Sequence, residues 1–539
     1  MASPPTPTPT PSRPRRTDRA ALLARLADPA APVVDLLVVG GGATGLGVAL
    51  EAAARGFDVV LLEAGDFARG TSSRATKLVH GGVRYLARGE LSLVREALHE
   101  RAAILRNAPH LASPIGFVMP AYRRWEPWFY GLGLAAYDRL AGRDRLGPTR
   151  RLDAAATRRE LPGAREQGLR GGVLYWDGQF DDARLAIALA RSAADRGAVL
   201  LNHVEVDGLL HDAGRVVGAT ARDRETGAAL RVRARAVVNA TGVWVDALRG
   251  LDARGQGADA RPMVSPSQGI HLVVDRGFLP GERALLVPST ADGRVLFAVP
   301  WLGRVILGTT DTPRADPSFE PEPFTDEVRF VLREAGRYLA RAPRLEDVAS
   351  AWVGLRPLVR PPDDAAETGR LSREHVVAVS RAGLVTVTGG KWTTYRAMAE
   401  DVLEHATAAG LLARRPPAGT ASLRLAGAPA EGEPTVPVSA PPGPHLYGAD
   451  AETLAVLPGA DRELDPGLSE AMVRFAARHE WARRVEDVLA RRSRLLFLDA
   501  RRAAAVAPQV ASILFEETGI DPDLAGFEAL ARRYASPPA

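Results

Sequence analysis

The sequence of 539 residues contains no cysteine and only 10 histidines. The absence of cysteine excludes disulfide bonds, thiolate catalysis and zinc–thiolate sites, and it is compatible with a reducing compartment. The histidines are scattered through the chain, and no pair has the spacing of metal ligands, so we expect no metal.

Long hydrophobic runs are also missing. The most apolar stretch, residues 33–54, is interrupted by five glycines. No run reaches the roughly 20 apolar residues that a membrane-spanning helix needs. The first 16 residues, "MASPPTPTPTPSRPRR", have no apolar core. We therefore expect a disordered tail there rather than a signal peptide.

Neither sign of charge dominates the chain. The formal net charge is +5, and the arginines are scattered rather than clustered. This distribution argues against nucleic acid as a partner. The length and the apolar content of 46% indicate several domains rather than one core.

Hydrophobic patterns predict the order of the elements. Residues 33–40 and 58–63 are continuous apolar runs, typical of buried parallel strands, and residues 46–56 between them fit a helix. Further strand-like segments follow one another between residues 197 and 311, another at 383–390 runs into a helix, and the C-terminal part is strongly helical. The sequence predicts an α/β fold with an antiparallel region, followed by a separate helical domain. The expected units are 1–32 (disordered tail and short helix), 33–115, 181–262 and 346–410 (a discontinuous cofactor-binding domain), 116–180 and 263–345 (a substrate-binding cap domain), 411–465 (linker-like) and 466–539 (helical domain).

The turn after the first strand contains a G-x-G-x-x-G motif. It follows a buried strand and opens a helix, and Glu63 ends the next strand, which is the context of a dinucleotide-binding fold. Gly40 permits the tight turn, Gly42 lets the backbone approach a pyrophosphate, and Gly45 lets helix and strand pack closely. The helix N-terminus would bind the phosphates, and Glu63 would accept hydrogen bonds from ribose hydroxyls.

FAD is the predicted cofactor. The chain has one such fingerprint, whereas an enzyme that passes hydride between NAD and a flavin usually needs two. Further glycines, Gly242 in "VVNATGVW" and the pair Gly389 and Gly390 in "TVTGGKWTTY", fit the completion of a single FAD fold. A helix N-terminus after Gly390 is suited to stabilise negative charge on a reduced flavin.

Four stretches carry a resemblance to a known family: "DLLVVGGGATGLGVALEAAARGFDVVLLE", "GTSSRATKLVHGGVRYL", "GLRPL" and "GGKWTTYR". Together they resemble the FAD-dependent, respiratory glycerol-3-phosphate dehydrogenases, which belong to the D-amino-acid-oxidase-like flavoproteins. The resemblance covers residues 33–410, and the helical tail also resembles the C-terminal domain of that family.

The resemblance implies both a fold and a reaction. The fold has a Rossmann-like FAD-binding domain of the D-amino-acid-oxidase and glutathione-reductase type, an antiparallel-sheet substrate domain and a C-terminal helical domain. The reaction is the oxidation of sn-glycerol 3-phosphate to dihydroxyacetone phosphate. Hydride would pass from C2 of the substrate to N5 of the flavin, and the electrons would pass on to a membrane quinone.

The segment "GTSSRATKLVHGGVRYL" is expected to lie along the FAD and to reach the substrate. Gly81 and Gly82 would let the backbone approach the flavin ring. His80 is then expected near the flavin, with Arg84 and Tyr85 facing the substrate. The remaining cofactor contacts implied by the resemblance are Thr71, Ser72, Ser73, Lys77 and Val204.

The reaction needs a base, and a neutral histidine suits it because its unperturbed pKa of about 6.5 lies near working pH. Two histidines compete for this role. His80 lies in the segment beside the FAD, and His271 in "SQGIHLVV" matches a substrate-side histidine of the family. We favour His271 for substrate contact and keep His80 as the alternative base.

The phosphate needs an anchor, and the planar fork of arginine binds phosphate bidentately. Arg356 in "VGLRPL" matches an active-site arginine of the family, and Lys391 matches a lysine near its reacting centre. Arg373 in "LSREH" resembles a further phosphate-binding arginine. Asp311 in "LGTTDT" is interpreted as a turn cap and is not counted among the catalytic residues.

The family passes electrons to a lipid-soluble quinone, which implies attachment to a membrane surface. Residues 123–140 combine aromatic side chains with flanking arginines, as a membrane interface favours; the alternative is that they form a lid on the substrate domain. The resemblance implies a cytoplasmic location at the inner face of the cell membrane, and it allows a homodimer.

The alternative functions are an oxidase that reduces oxygen, another oxidase of the D-amino-acid-oxidase-like group, and a flavoprotein sensor or assembly subunit.

Overall fold

A computed structural model describes residues 17–82, 90–255, 261–290, 293–360 and 375–539. The strands are β1 (Val34–Val39), β2 (Val59–Leu62), β3 (Leu78–Val79), β4 (Ala112–Ala121), β5 (Arg150–Asp153), β6 (Gly171–Phe180), β7 (Val199–Leu201), β8 (Val204–Asp212), β9 (Arg215–Asp223), β10 (Ala229–Asn239), β11 (Val264–Asp275), β12 (Ala284–Val287), β13 (Leu296–Trp301), β14 (Arg304–Gly308), β15 (Thr312–Pro313), β16 (Ser350–Val359), β17 (His375–Val379), β18 (Leu384–Gly389), β19 (Glu463–Asp465) and β20 (Leu468–Ser469). The α-helices are α1 (Arg19–Ala27), α2 (Ala43–Ala54), α3 (Leu91–Asn107), α4 (Glu126–Ala141), α5 (Ala154–Glu160), α6 (Asp182–Asp195), α7 (Val245–Gly255), α8 (Thr325–Tyr338), α9 (Tyr395–Ala408), α10 (Ala451–Ala455), α11 (Glu470–His479), α12 (Leu495–Leu498), α13 (Ala500–Thr518) and α14 (Leu524–Ala535). A π-helical turn, Asp487–Arg492, precedes α12.

The first sheet has a parallel centre, in the order β18, β10, β1, β2, β7. Strand β17 adds antiparallel to β18, and the β8–β9 hairpin attaches to β10. Leu36, Leu37 and Val38 of β1 have no exposed surface. Continuous burial of this kind is what a strand covered on both faces requires, and the prediction of a βαβ unit here is confirmed.

The second sheet has ten strands and is largely antiparallel. Its longest pairs are β4 with β6 and β11 with β16. The domain predicted for residues 346–410 is wrong for β16. We expected these residues in the cofactor-binding domain, but β16 pairs with β11 in the second sheet. The change from one sheet to the other comes after residue 359, since β17 and β18 belong to the first sheet. Pairing between strands about eighty residues apart leaves no local signal in the sequence.

The C-terminal helices do form a helical domain, but their core is continuous with the second sheet. Trp301 and Trp352, from β13 and β16, are buried in the same cluster as Phe497 of α12 and Val510 of α13. The expectation of a separate domain is therefore only partly right. Aromatic rings from the sheet thus form part of the core of the helical domain.

Helix α1 and the region expected to be linker-like both contact the folded domains. Helix α1 lies within the region where a short helix was expected, and the Arg19 guanidinium pairs with Asp223. In the region expected to be linker-like, the Thr420 hydroxyl donates to Glu51 at 2.5 Å and the Leu425 N–H donates to the Asn107 carbonyl at 2.9 Å. Among the described residues, no helix combines the length and the apolar character that crossing a bilayer demands.

Candidate active site

The glycine-rich turn between β1 and α2 is built for close backbone contact. Gly40 has φ +108°, and a Cβ on it would lie 2.6 Å from the Ala240 carbonyl oxygen. A Cβ on Gly45 would lie 1.9 Å from the Gly40 carbonyl oxygen. Only glycine fits either position, so the roles predicted for the motif agree with its geometry.

The first turn of α2 leaves backbone N–H groups at the crevice, as every helix N-terminus does. The Ala43 N–H donates to the Ser72 hydroxyl oxygen at 2.9 Å, and a Cβ on Gly42 would meet only that hydroxyl, at 3.0 Å. The cradle is therefore open in front of Gly42. It suits a pyrophosphate, because N–H groups and the positive end of the helix dipole face it.

Glu63 directly follows β2 beside this cradle. Its carboxylate accepts the N–H groups of Gly41 at 2.6 Å and Gly65 at 2.7 Å. Burial raises the pKa of Glu63, and the two N–H donors oppose that shift. A carboxylate has further acceptor sites, so Glu63 remains able to receive ribose hydroxyls. Val204 lies against this strand end, but its N–H donates to the Glu63 carbonyl at 2.8 Å and is already used within the protein.

Two other strand ends meet the same crevice. β10 leads to Gly242, with φ +63°, and a Cβ there would meet no atom within 4 Å. β18 ends at Gly389, followed by Gly390, with φ +78° and +68°. In open α/β sheets ligands bind at the carboxyl ends of the strands. An open cradle, an acidic group at the end of β2 and room for a ligand beside Gly242 fit FAD.

Residues 71–77 lie between the two sheets. The Thr71 hydroxyl donates to the Leu355 carbonyl at 2.5 Å, and the Ser72 carbonyl accepts Trp392 Nε1 at 2.8 Å. The Ser72 hydroxyl therefore reaches the cofactor cradle, whereas the Thr71 hydroxyl is bonded to β16. Ser73 is buried, with 1% of its surface exposed.

Lys77 requires a correction. It was expected to add charge beside the cofactor, but its side chain has no exposed surface and its Nζ lies 2.7 Å from both the Ser73 carbonyl and Asp182 Oδ2. Burial lowers the pKa of Lys77 to about 7, and Asp182 opposes the shift. Lys77 thus forms an internal ion pair, and its charge acts on the backbone of residues 71–77.

A pair of glycines makes room for this segment on the second sheet. Gly269 and Gly354 lie opposite each other on β11 and β16. A Cβ on Gly354 would lie 2.6 Å from the Arg74 carbonyl oxygen, and a Cβ on Gly269 would lie within 3 Å of the Arg356 guanidinium. Small residues on facing strands therefore let residues 71–77 and Arg356 share one face of the sheet.

The two candidate histidines have different surroundings. His80 is partly exposed, its N–H donates to Thr393 Oγ1 at 3.3 Å, and its Nδ1 accepts the Gly82 N–H at 3.1 Å. His271 is buried and stacks on Trp352, with ring centroids 5.3 Å apart. Its Nε2 lies 3.1 Å from the Thr76 hydroxyl.

The protonation of His271 follows from its burial. Burial lowers the pKa of His271 well below its usual value, and the nearby cations Lys77 and Arg356 lower it further. The ring is therefore neutral. Its Nδ1 has no hydrogen-bond partner among the described residues.

Arg356 projects from β16 beside the carboxyl end of β14. Its Nη1 lies 3.3 Å from Asp311 Oδ1, and its Nη2 lies 3.2 Å from Thr309 Oγ1. Asp311 also accepts the Ser267 hydroxyl in a short hydrogen bond. The interpretation of Asp311 as a turn cap missed this contact, because nothing near residue 311 in the sequence points to an arginine 45 residues later.

The remaining predicted residues are the following. Lys391 is partly exposed and directly precedes the helical turn Trp392–Thr394 at the crevice. Gly81 is buried, and its N–H donates to the Tyr137 hydroxyl at 2.7 Å. Arg84, Tyr85 and Arg373 lie outside the described residues. Three residues that contact this region were not predicted: Thr76, Asp182 and Arg494.

Comparison with known proteins connects these features. Residues 35–396 match the family model of FAD dependent oxidoreductases, and residues 444–524 match the model of the C-terminal domain of alpha-glycerophosphate oxidase. The chain is 40% identical to a mitochondrial glycerol-3-phosphate dehydrogenase of Arabidopsis thaliana, over 93% of this chain and 85% of that protein. It is 38% identical to the mitochondrial glycerol-3-phosphate dehydrogenase of Homo sapiens, over 90% and 71%.

A solved structure covers nearly the whole chain. The glycerol-3-phosphate dehydrogenase from Bacillus halodurans, complexed with FAD, superposes with a TM-score of 0.76 over 97% of this chain and 98% of that one, at 28% identity. An L-alpha-glycerophosphate oxidase from Mycoplasma pneumoniae, with FAD bound, superposes with a TM-score of 0.54 at 17% identity, which shows a common fold only. The predictions of the fold class and of FAD as cofactor are confirmed.

Proposed function

Because the chain belongs to the FAD-dependent glycerol-3-phosphate dehydrogenase family, we propose that it oxidises sn-glycerol 3-phosphate to dihydroxyacetone phosphate. The observation that carries this proposal is the position of Arg356. Its guanidinium shares one face of the second sheet with residues 71–77, and the Ser72 hydroxyl of that segment reaches the cofactor cradle. A cationic anchor for an anionic substrate thus lies beside the cofactor crevice.

We assign the following roles in the reaction to residues of the chain. The bound FAD supplies the hydride acceptor. Arg356 binds the substrate phosphate, because Asp311 and Thr309 hold the guanidinium in one orientation. Lys391, just before the turn at the end of β18, stabilises the negative charge that develops on the substrate oxygen.

A histidine would accept the proton of the substrate hydroxyl. For each of the two candidates, one observation supports this role and one argues against it. His80 is partly exposed, as a group that meets substrate must be, but its Nδ1 accepts the Gly82 N–H. His271 is neutral and has an unpartnered Nδ1 among the described residues, but it is buried. Asparagine variants at each position distinguish them, since only loss of the base removes the acidic limb of the kcat pH profile.

For the electron acceptor we propose a quinone reached from a membrane surface. Helix α4 and the residue before it expose large apolar side chains: Trp125 by 51%, Trp128 by 63%, Phe129 by 65% and Leu132 by 75%. Aromatic residues with neighbouring arginines suit the interface between headgroups and acyl chains. This surface supports peripheral binding, with the enzyme lying at one face of the bilayer.

Steady-state assays test the reaction and its acceptor together. The purified holoprotein is given glycerol 3-phosphate with either a soluble quinone analogue or oxygen alone. We expect rapid quinone reduction with little peroxide. Turnover that needs oxygen and releases one peroxide per substrate would instead identify an oxidase.

A further inference from the structure

Three buried arginines of the C-terminal domain contact the loop that forms one wall of the cofactor crevice. The loop comprises residues 64–77, between β2 and β3. The arginines lie at the junction between the π-helical turn and α12 and have at most 2% of their surface exposed. They are Arg491, Arg492 and Arg494.

The first part of the loop is bound through Asp66. Arg491 Nε lies 2.5 Å from Asp66 Oδ2, and Arg492 Nη2 lies 3.0 Å from Asp66 Oδ1. Asp487 joins the cluster through Arg491 at 2.8 Å and through His203 at 3.0 Å. Asp66, His203 and Asp487 are close enough together to hold a cation. The two guanidinium groups already supply the positive charge that these carboxylates need.

The last part of the loop is bound through the Ser73 carbonyl. Arg494 Nη2 lies 2.8 Å from this oxygen and 3.1 Å from Asp182 Oδ1. Lys77 Nζ lies 2.7 Å from the same carbonyl oxygen and 2.7 Å from Asp182 Oδ2. Asp181, 3.5 Å from Arg494 Nε, balances the second positive charge. Two cations, one from each domain, therefore share one carbonyl and one carboxylate.

Both cations lie on unusual backbone. Lys77 has φ +64° and Arg494 has φ +66°. Residues other than glycine rarely adopt this region, and such strain persists where surrounding contacts fix it, often at functional sites. Here Lys77 and Arg494 are fixed by the same two partners, Ser73 and Asp182.

The bound loop carries the groups that face the crevice. The Ser72 hydroxyl accepts the Ala43 N–H at the N-terminus of α2, and the Ser72 carbonyl accepts Trp392 Nε1 beside the end of β18. The Thr76 hydroxyl contacts His271 at 3.1 Å. A shift of the Ser73 carbonyl would therefore move a contact of the phosphate cradle and a contact of a candidate base together.

We propose that the C-terminal domain completes the cofactor site, and that Arg494 is the positioning residue through which it holds residues 71–77. The proposal rests on the FAD site of the proposed function and not on the identity of the substrate. It gives the C-terminal helices a role that their distance along the chain does not suggest. Arg494 acts through Ser73 and Asp182 and need not touch the cofactor.

The test compares the wild-type holoprotein with Arg494→Lys and Asp182→Asn. Amide hydrogen exchange is read at Arg74 and Ala75, whose N–H groups donate to Thr71 and Asp182. In both variants we expect exchange there to rise about tenfold or more, with the β8–β9 hairpin unchanged. FAD release should also become about tenfold faster, and the absorption bands of the bound flavin should shift.

Turnover per bound flavin separates positioning from stability. For Arg494→Lys we expect kcat to fall about tenfold while KM changes less than about twofold, because the loop and not the phosphate anchor is displaced. A merely structural role would lower the yield of holoprotein but leave the flavin spectrum and the turnover per flavin unchanged. Arg502→Lys is the control within the same domain, since the Arg502 guanidinium pairs with Asp465 rather than with the loop.

Wild-type exchange values for Arg494→Lys and Asp182→Asn, with an unchanged flavin spectrum, would overturn the proposal. If neither variant folds, the coupling is tested by amide exchange in the wild-type protein. Exchange protection at Arg74 and Ala75 should then match that at Ser493 and Leu498 within about tenfold in rising urea, and a larger gap would overturn the coupling. The exchange data need no substrate, so a protein that fails to oxidise glycerol 3-phosphate still tests this inference.

Discussion

Arg356 on β16 and Asp311, between β14 and β15, form an ion pair that spans β11, with 3.3 Å between Nη1 and Oδ1. Thr309 contacts the other terminal nitrogen of the same guanidinium at 3.2 Å. A guanidinium held in this way keeps one orientation, which is what bidentate phosphate binding needs. Asp311 therefore acts on the substrate through Arg356.

Asp311→Asn should weaken substrate binding without slowing the chemistry. Loss of one charge-assisted hydrogen bond to Arg356 is worth about 1.4 kcal/mol, so the KM for glycerol 3-phosphate should rise about tenfold with kcat nearly unchanged. Asp275→Asn is the control, because Asp275 is an exposed partner of Arg304. A fall in KM would mean that Asp311 merely repels the phosphate.

Gly42→Ala should remove FAD from a folded protein. The new methyl group would lie 3.0 Å from the Ser72 hydroxyl and project into the cradle at the N-terminus of α2. We expect FAD affinity to fall more than about tenfold, measured as flavin absorbance per protein after gel filtration. Gly133→Ala on α4 is the control, since a Cβ there meets no atom within 4 Å. Full flavin content in Gly42→Ala would place the pyrophosphate elsewhere.

The local part of the site was predictable from sequence, and the distant part was not. The turn at Gly40 and the acidic strand end at Glu63 lie in one short βαβ unit, so their spacing alone predicts their meeting. Asp182, the ion-pair partner of Lys77, lies 105 residues further along the chain, and Arg494, which shares that carboxylate, lies 417 residues further along. An isolated lysine beside a glycine-rich segment reads as a ligand contact, and only the tertiary structure reveals the carboxylate that neutralises it.

The burial of His271 could not be predicted from the sequence either. His271 lies in the strand sequence "GIHLVVD", which is equally compatible with a ring facing substrate or a ring packed on a neighbour. Trp352, which covers it, comes from a strand 81 residues away and pairs with it in register. Asp311 was likewise assigned to a turn because Arg356 follows it at a distance that no local pattern spans.

Exposed apolar side chains on α4 should determine membrane binding. Trp128→Ser combined with Phe129→Ser removes two side chains that are more than half exposed. Each is worth about 1.5–3 kcal/mol when buried, so binding to vesicles should fall at least about tenfold in a sedimentation assay. Phe515→Ser, exposed by 58% on α13, is the matched control. Equal losses in both would show that exposure in general, and not this surface, governs binding.

Acid should destabilise the protein through His110. This residue is 3% exposed, and burial lowers its pKa to about 3. The unfolded chain, with a pKa of about 6.5, then binds a proton that the folded chain does not, so stability falls by about 1.4 kcal/mol per pH unit below 6.5.

The slope is measured by urea unfolding between pH 7 and pH 5. In His110→Gln the pH dependence should decrease by about one proton. His99→Gln, at a histidine whose side chain is 56% exposed, serves as the control. An unchanged slope in His110→Gln would assign the acid sensitivity to other groups.

The most direct test of the account is the visible absorption of the purified holoprotein during anaerobic addition of sn-glycerol 3-phosphate. We predict that the flavin absorption bleaches with stoichiometric formation of dihydroxyacetone phosphate. Glycerol at the same concentration should leave the spectrum unchanged, because it offers no phosphate to Arg356. A flavin that stays oxidised with glycerol 3-phosphate would contradict the proposed function.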